Sequence, residues 1–367
     1  GPQQFPRQAI SKRRTRNFAG RSKDRSMVVS NITWPQTMQA LRASLAAILL
    51  VLLLCPPVHA GSLDDTLIRL FPKNIGQFSY ANVEAARQFP WLAQFQQQAL
   101  PPEVITFEQF LSFAGININS QIDTVAWAVG ADAAGPHAQS DLAAGGTVGV
   151  LQGTFDSDSA QSALDSARVP SVEIDGYKLY SCGAGPHCGD VFFVFLDSNT
   201  AAFGQRAILK ELLDVASGDA QGLLANQGML ALISQANGDA TFLEVVDGAA
   251  ARQALQQIAP GLSKFPRSAE ILAGIRSIEI TVAADTDAEF HVQTTCASAT
   301  DSLFLSQILQ AALLLRKYEA SQSHPLLSQA LDGATVTSNN STVDLAIQIS
   351  TDQLLPILEE SSFAARM

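Results

Sequence analysis

The chain has 367 residues, 47% of them hydrophobic and 16% charged, with 34 acidic against 23 basic residues and a net charge of −11. Nine of the basic residues but only one acidic residue, Asp24, fall in 1–60, so residues 61–367 hold 14 bases against 33 acids, a net charge of −19. That balance excludes a phosphate-gripping face for nucleic acid, disfavours anionic lipid surfaces, and suits a soluble protein whose copies repel one another.

The first feature along the chain is an export signal. Leu45–Cys55 is an uncharged apolar run preceded by Arg42; it is long enough for a signal-peptide core and short of the roughly 18–20 residues that cross a bilayer. Pro56-Pro57 end any helix there, and Val58-His59-Ala60 presents modest side chains to a signal peptidase, so cleavage is expected between Ala60 and Gly61. A signal peptide starting at Met38 has ordinary length, so residues 1–37, with the basic run Ser11–Arg16, are expected to be an over-extended start. After cleavage no stable membrane insertion is expected.

Leu63–Leu70 reads as a short helix, Phe78–Val83 as a strand, and Asn82–Leu100 as largely helical with Pro90 as a kink. Glu103–Ala114 is a clearer helix: Val104, Phe107, Phe110, Leu111 and Phe113 recur mostly at three and four, and Gly115 stops it. Thr124–Val129 and Thr147–Phe155 are strand-like around a loop over Gly130–Gly146. Asp156 or Ser157 caps a helix through about Arg168. Asp175-Gly176 sets a hairpin between Val172–Ile174 and Tyr177–Tyr180. Val191–Leu196 and Ala201–Phe203 form a strand pair, and Gln205–Ala216 a helix with Ile208, Leu209, Leu212 and Leu213 inward.

The second half uses similar parts. Thr241–Val246 is a strand and Gly248–Ile258 a helix; Ile275–Ala283 and Glu289–Cys296 form a hairpin. A long helix, Asp301–Ala320, capped by Thr300 or Asp301, is followed by a short one at Pro325–Leu331, a hairpin of Val336–Ser338 with Thr342–Ser350, and a closing helix at Asp352–Glu360. The expected fold class is α+β: two tandem units of antiparallel sheet with helices packed on one face, preceded by a helical N-terminal segment. The expected divisions are 1–60 for the leader, 61–120 for the helical segment, 121–225 for the first unit and 226–367 for the second.

The passages FEQFLSFAGININSQIDTVAWAVG (Phe107–Gly130) and FLDSNTAAFGQRAILKELLD (Phe195–Asp214) resemble exported bacterial proteins of unknown function built from tandem α+β units. The resemblance rests on patterned apolar positions across most of residues 61–367. It implies an envelope or secreted location, and it transfers no site residues.

Motifs with assigned chemistry are absent: there is no G-x-S-x-G elbow, H-E-x-x-H, P-loop or Rossmann glycine pattern. Asp156-Ser-Asp158 opens like a calcium loop but breaks at Ala160 and Gln161, which leaves a helix N-cap. On an extended 287–292, Asp287, Glu289 and His291 share one face, with Glu279 on the partner strand. Such groups can hold Zn²⁺ or Mn²⁺, although alternation of this kind is ordinarily the wet face of a one-sided sheet. Ala-Gly-Pro-His occurs twice, placing His137 and His187 in loops as a second metal candidate beside Cys182 or Cys188. The run CGAGPHC instead suits a disulfide between Cys182 and Cys188, leaving Cys296 a buried thiol. Phe192, Phe193, Phe195, Trp91 and Trp127 are apolar enough to line a lipid pocket, and read more simply as core.

The sequence therefore predicts an exported, non-enzymatic binding or scaffold protein of the cell envelope or periplasm. It has no catalytic or cofactor-binding residues to name, and its partner is an unidentified protein or small molecule. A cryptic metal-dependent hydrolase and a carrier of an apolar ligand are the alternatives.

Overall fold

A computed structural model describes residues 63, 65–87, 102–131, 146–182, 191–236, 240–252, 268–284, 287–350, 352–354 and 356–357. Its frame is a sheet of twelve strands: β1 (Ile75–Asn82), β2 (Ile122–Gly130), β3 (Thr147–Gly153), β4 (Ser171–Ile174), β5 (Tyr177–Ser181), β6 (Val191–Phe195), β7 (Thr200–Gln205), β8 (Phe242–Asp247), β9 (Ile275–Ala284), β10 (Asp287–Cys296), β11 (Thr335–Asn339) and β12 (Thr342–Ser350). They lie in the order β11-β12-β10-β9-β8-β1-β2-β3-β7-β6-β5-β4, and every neighbouring pair is antiparallel. The chain is thus α+β.

Ten helices of four residues or more are named here in chain order: α1 (Asp65–Ile68), α2 (Val83–Ala86), α3 (Pro102–Phe113), α4 (Ile118–Gln121), α5 (Ser157–Ser166), α6 (Arg206–Ser217), α7 (Gln227–Ala236), α8 (Ser268–Gly274), α9 (Ala299–Ser323) and α10 (Pro325–Asp332). A further helical stretch runs over 248–252.

Helices cover both faces of the sheet rather than the single face expected. Residues opposite one another across a ladder share a face, so the register sorts the core. Phe78 of β1 pairs with Ala128 and Val245, and Tyr80 with Ala126 and Leu243. These six, with Val148, Val150, Val194 and Ala202, form one cluster with the inward residues of α1, α6 and α7. The Ile208, Leu209, Leu212 and Leu213 stripe of α6 is buried there as its spacing predicts. The opposite face carries Leu151, Phe193, Phe195 and Ala201, packed by Phe110 and Leu111 of α3 and by Ala160 and Leu164 of α5. Farther along that face, Cys296 and Val343 meet Ile271 of α8 and Leu305 of α9.

Two local expectations shift. Within the segment expected to be mainly helical, the strand expected at Phe78–Val83 runs instead over Ile75–Asn82 and is central, bonding to β2 on one side and β8 on the other. Alternation is masked there because six of the eight residues are buried. The cap of α9 is Ser298, two or three residues before the position expected: its Oγ accepts from Asp301 N at 3.1 Å and donates to Asp301 Oδ2 at 2.7 Å. Asp156 caps α5 as its sequence suggests, accepting from Ser159 N at 3.0 Å. Asp175 and Gly176 take positive φ values of 50° and 82°, the conformation a two-residue hairpin turn requires.

A close approach is fixed at Gly149 on β3. The Phe203 side chain of the neighbouring strand lies over it, and a Cβ at this position would fall within the ring's van der Waals envelope.

Candidate functional site

The β10 residues singled out from sequence are placed as expected but do not converge. Glu289 and His291 share a face, with Oε2 and Nε2 3.7 Å apart and both side chains half exposed. Asp287 turns its Oδ2 to Gln348 Nε2 at 3.0 Å instead. Among the described residues no three His, Cys, Asp or Glu side chains gather as a metal set. His137, His187, Cys188 and Trp91, and the cleavage pair Ala60 and Gly61, lie outside the described residues. Cys182 is buried at the end of β5, where its N–H donates to Val191 O at 2.9 Å and continues the β5–β6 pairing. Phe193 and Phe195 are core: their rings meet edge-on at 5.0 Å, and Phe110 and Phe155 close around them at 5.6 and 5.8 Å.

Glu279 departs from the wet face expected of it. It sits opposite Gln293 on β10, which in turn sits opposite Asp344 on β12, so the three make a polar row on the face that α7 covers. Gln293 donates to Asp344 Oδ1 at 2.8 Å and accepts from Gln235 of α7 at 3.1 Å. Glu279 is buried, its Oε1 has no hydrogen-bond partner, and its carboxyl is pushed up by burial first and by the Asp344 carboxylate second.

The most unusual group was passed over in the sequence. Glu244 stands at the middle of β8 on the opposite face from Glu279, 5% exposed, between Phe242 and Val246. The ladders place Ser79 opposite it on β1 and Ile280 opposite it on β9; one strand farther out lie Trp127 and Val292. In that row only Ser79 and Glu244 are polar. Gln77, also on β1, donates from Nε2 to Glu244 Oε1 at 3.0 Å. The Ser79 hydroxyl lies close enough to temper the acid but not in good bonding geometry, so Ser79 Oγ and Glu244 Oε2 both lack a partner. Burial pushes the carboxyl from the ordinary 4.5 up to about 8. A carboxyl inside an otherwise apolar strand, FLEVV, is the signal that would have found it.

Aromatic side chains flank this acid. Trp127 and Phe242 sit two strands apart, about 10 Å at ordinary strand spacing, yet their ring centroids approach to 6.0 Å at a tilt of 33°. They meet over β1, where the small side chains of Ser79 and Ala81 leave room. Phe290 and Ile280, both partly buried, pack against the same cluster, whose Ala81, Phe242 and Val282 are fully buried.

On the outside of the fold, α9 leaves Leu303, Leu314, Leu315 and Tyr318 exposed. No helix among the described residues is long and apolar enough to cross a membrane.

No family model matches the chain, and no curated protein matches it. Among solved structures, crystal form I of TP0453 aligns at a TM-score of 0.42 and 10% identity over 82% of this chain and 98% of that one. Crystal form IV of the same protein aligns at 0.40 and 11%, over 81% and 97%.

Proposed function

We propose that this chain is an exported, non-enzymatic binding protein of the cell envelope or periplasm that holds a small, mainly apolar ligand against the Trp127–Phe242 wall beside Glu244. One observation carries this reading: Glu244 is buried with Oε2 unpartnered in apolar surroundings. An orphaned buried oxygen costs about 1–3 kcal/mol, and a cost of that kind is commonly retained where the group meets a ligand. Location rests on the sequence: the Leu45–Cys55 core and cleavage between Ala60 and Gly61. A Cys182–Cys188 bridge fits the same oxidising compartment.

The tandem reading also belongs here. Outward from the β1–β8 seam the order is β1-β2-β3-β7-β6 in one direction and β8-β9-β10-β12-β11 in the other. In each arm the third strand is followed in sequence by helical chain, then by the arm's outer strand, β6 or β11, and then by the strand that pairs with the third, β7 on β3 and β12 on β10. That correspondence supports two related units, with the β4–β5 hairpin as an addition to the first.

The test is titration of the purified protein with N-phenyl-1-naphthylamine, a neutral apolar fluorophore. Saturable binding is expected, weakened roughly fivefold or more by Trp127→Ala and little by Trp127→Phe. Fluorescence that never saturates with the wild-type protein would remove the reading. A protein partner is the second reading, favoured by the α9 stripe, where Leu314 and Tyr318 are 68% and 67% exposed one turn apart.

A further inference from the structure

We propose that Glu244 is the counter-ion for an organic ammonium, and that the apolar part of that ligand lies along Trp127, Phe242 and Phe290. This rests on the binding reading above and adds the charge class of the ligand.

Three observations converge. First, among the described residues no Lys, Arg or His comes within ion-pair distance of the acid. Second, Gln77 Nε2 donates to its Oε1 at 3.0 Å. A donor favours the ionised form of a carboxyl, so the local geometry suits a carboxylate with Oε2 left to accept. Third, the tilted Trp127–Phe242 pair stands on the same face beside the acid, and aromatic faces attract ammonium groups by about 0.5–2 kcal/mol each, most when desolvated. The acidic surplus of the whole chain, −11, draws cations and repels fatty carboxylates.

Binding is coupled to a proton. Burial raises the carboxyl to about 8, so it holds its proton at neutral pH. An arriving ammonium favours the ionised form, so the neutral acid and the cation become an ion pair and one proton leaves to solvent. Burial and Ser79 account for the displacement of this acid, and no charged group among the described residues contributes to it. Its sheet neighbours are Gln77 and Ser79 on β1, Trp127 on β2, and Ile278, Ile280 and Val282 on β9, while Glu279 and Asp247 point to the other face by ladder parity. The 248–252 stretch and α8 cover the same face beside it through Ala251 and Leu272, with Arg252 turned to Ile275 O at 3.0 Å.

Calorimetry with decyltrimethylammonium and with decanol, both below their aggregation range, tests this in two buffers of different ionisation enthalpy near pH 6.5. The ammonium should bind roughly tenfold or more tightly than decanol and release about one proton. Glu244→Gln, nearly isosteric, should bring the ratio of the two affinities to about one and abolish the release. Equal affinities in the wild-type protein, or a preference and proton release that survive in Glu244→Gln, would overturn the ion pair while the apolar site stands. If neither compound binds saturably, the binding reading falls with it.

Discussion

Gln77 Nε2 donates to Glu244 Oε1 at 3.0 Å across the β1–β8 ladder and leaves the second carboxyl oxygen without a partner. This contact ties the neighbouring central strands β1 and β8 through a group that is costly to bury. Its consequences can be measured without knowing the ligand.

The pH dependence of stability should report Glu244 directly. The folded state holds the Glu244 proton up to about pH 8, whereas an ordinary carboxyl gives it up near 4.5. Between those values the folded chain binds more protons than the unfolded one, so stability declines as pH rises through the window and the loss is complete above it. Glu244→Gln should flatten this slope and be the more stable protein above pH 8, by an amount on the order of 3 kcal/mol. Urea unfolding at low and high pH measures it; parallel slopes in the two proteins would count against the assignment.

On the other face, the Asp344 carboxylate is predicted to influence the titration of Glu279. Burial raises the Glu279 carboxyl, and Asp344 raises it further. Asp344→Asn should therefore move Glu279 back toward the usual range without restoring it fully. Carboxyl carbon NMR of both proteins is the check, and a Glu279 resonance that ignores the substitution would show the row to be uncoupled.

Gly149 and Phe203 should behave as one packing unit. Gly149→Ala must displace the Phe203 ring that lies over it, and overpacking of a filled core typically costs about 1–3 kcal/mol. Pairing it with Phe203→Leu should recover part of that loss. Additive costs in the double-substituted protein would mean the two do not share the space.

The thiols carry the export account. Cys296 is buried, with its thiol pushed up to about 11 by burial first and by Asp301 second, so it should resist alkylation in the folded protein. Unfolding exported protein without reductant should then expose one thiol, Cys296, with Cys182 and Cys188 bridged. Three thiols would remove the bridge.

How far these residues speak for themselves in sequence follows from where they sit. Strands with one wet face alternate legibly, which makes the β9–β10 and β11–β12 hairpins readable, and the Asp175-Gly176 turn is readable from its turn dipeptide. So is the inward stripe of α6. Strands buried on both faces lose alternation, which is why the central place of β1 and the helices on the second face are not legible in the sequence. Glu289 and His291 were correctly put on one face, yet which carboxylate is buried depends on what packs above the sheet, and that is not a property of one strand. Glu244 and Glu279 differ by neighbours from β1 and α7 that lie tens to hundreds of residues away.

Native mass spectrometry of the protein recovered from cells that make it, beside Glu244→Gln prepared identically, tests the central claim most directly. The wild-type protein should carry one small-molecule adduct that the variant lacks. A bare polypeptide mass for the wild type, or the same adduct at equal occupancy in both proteins, would contradict a ligand site at Glu244.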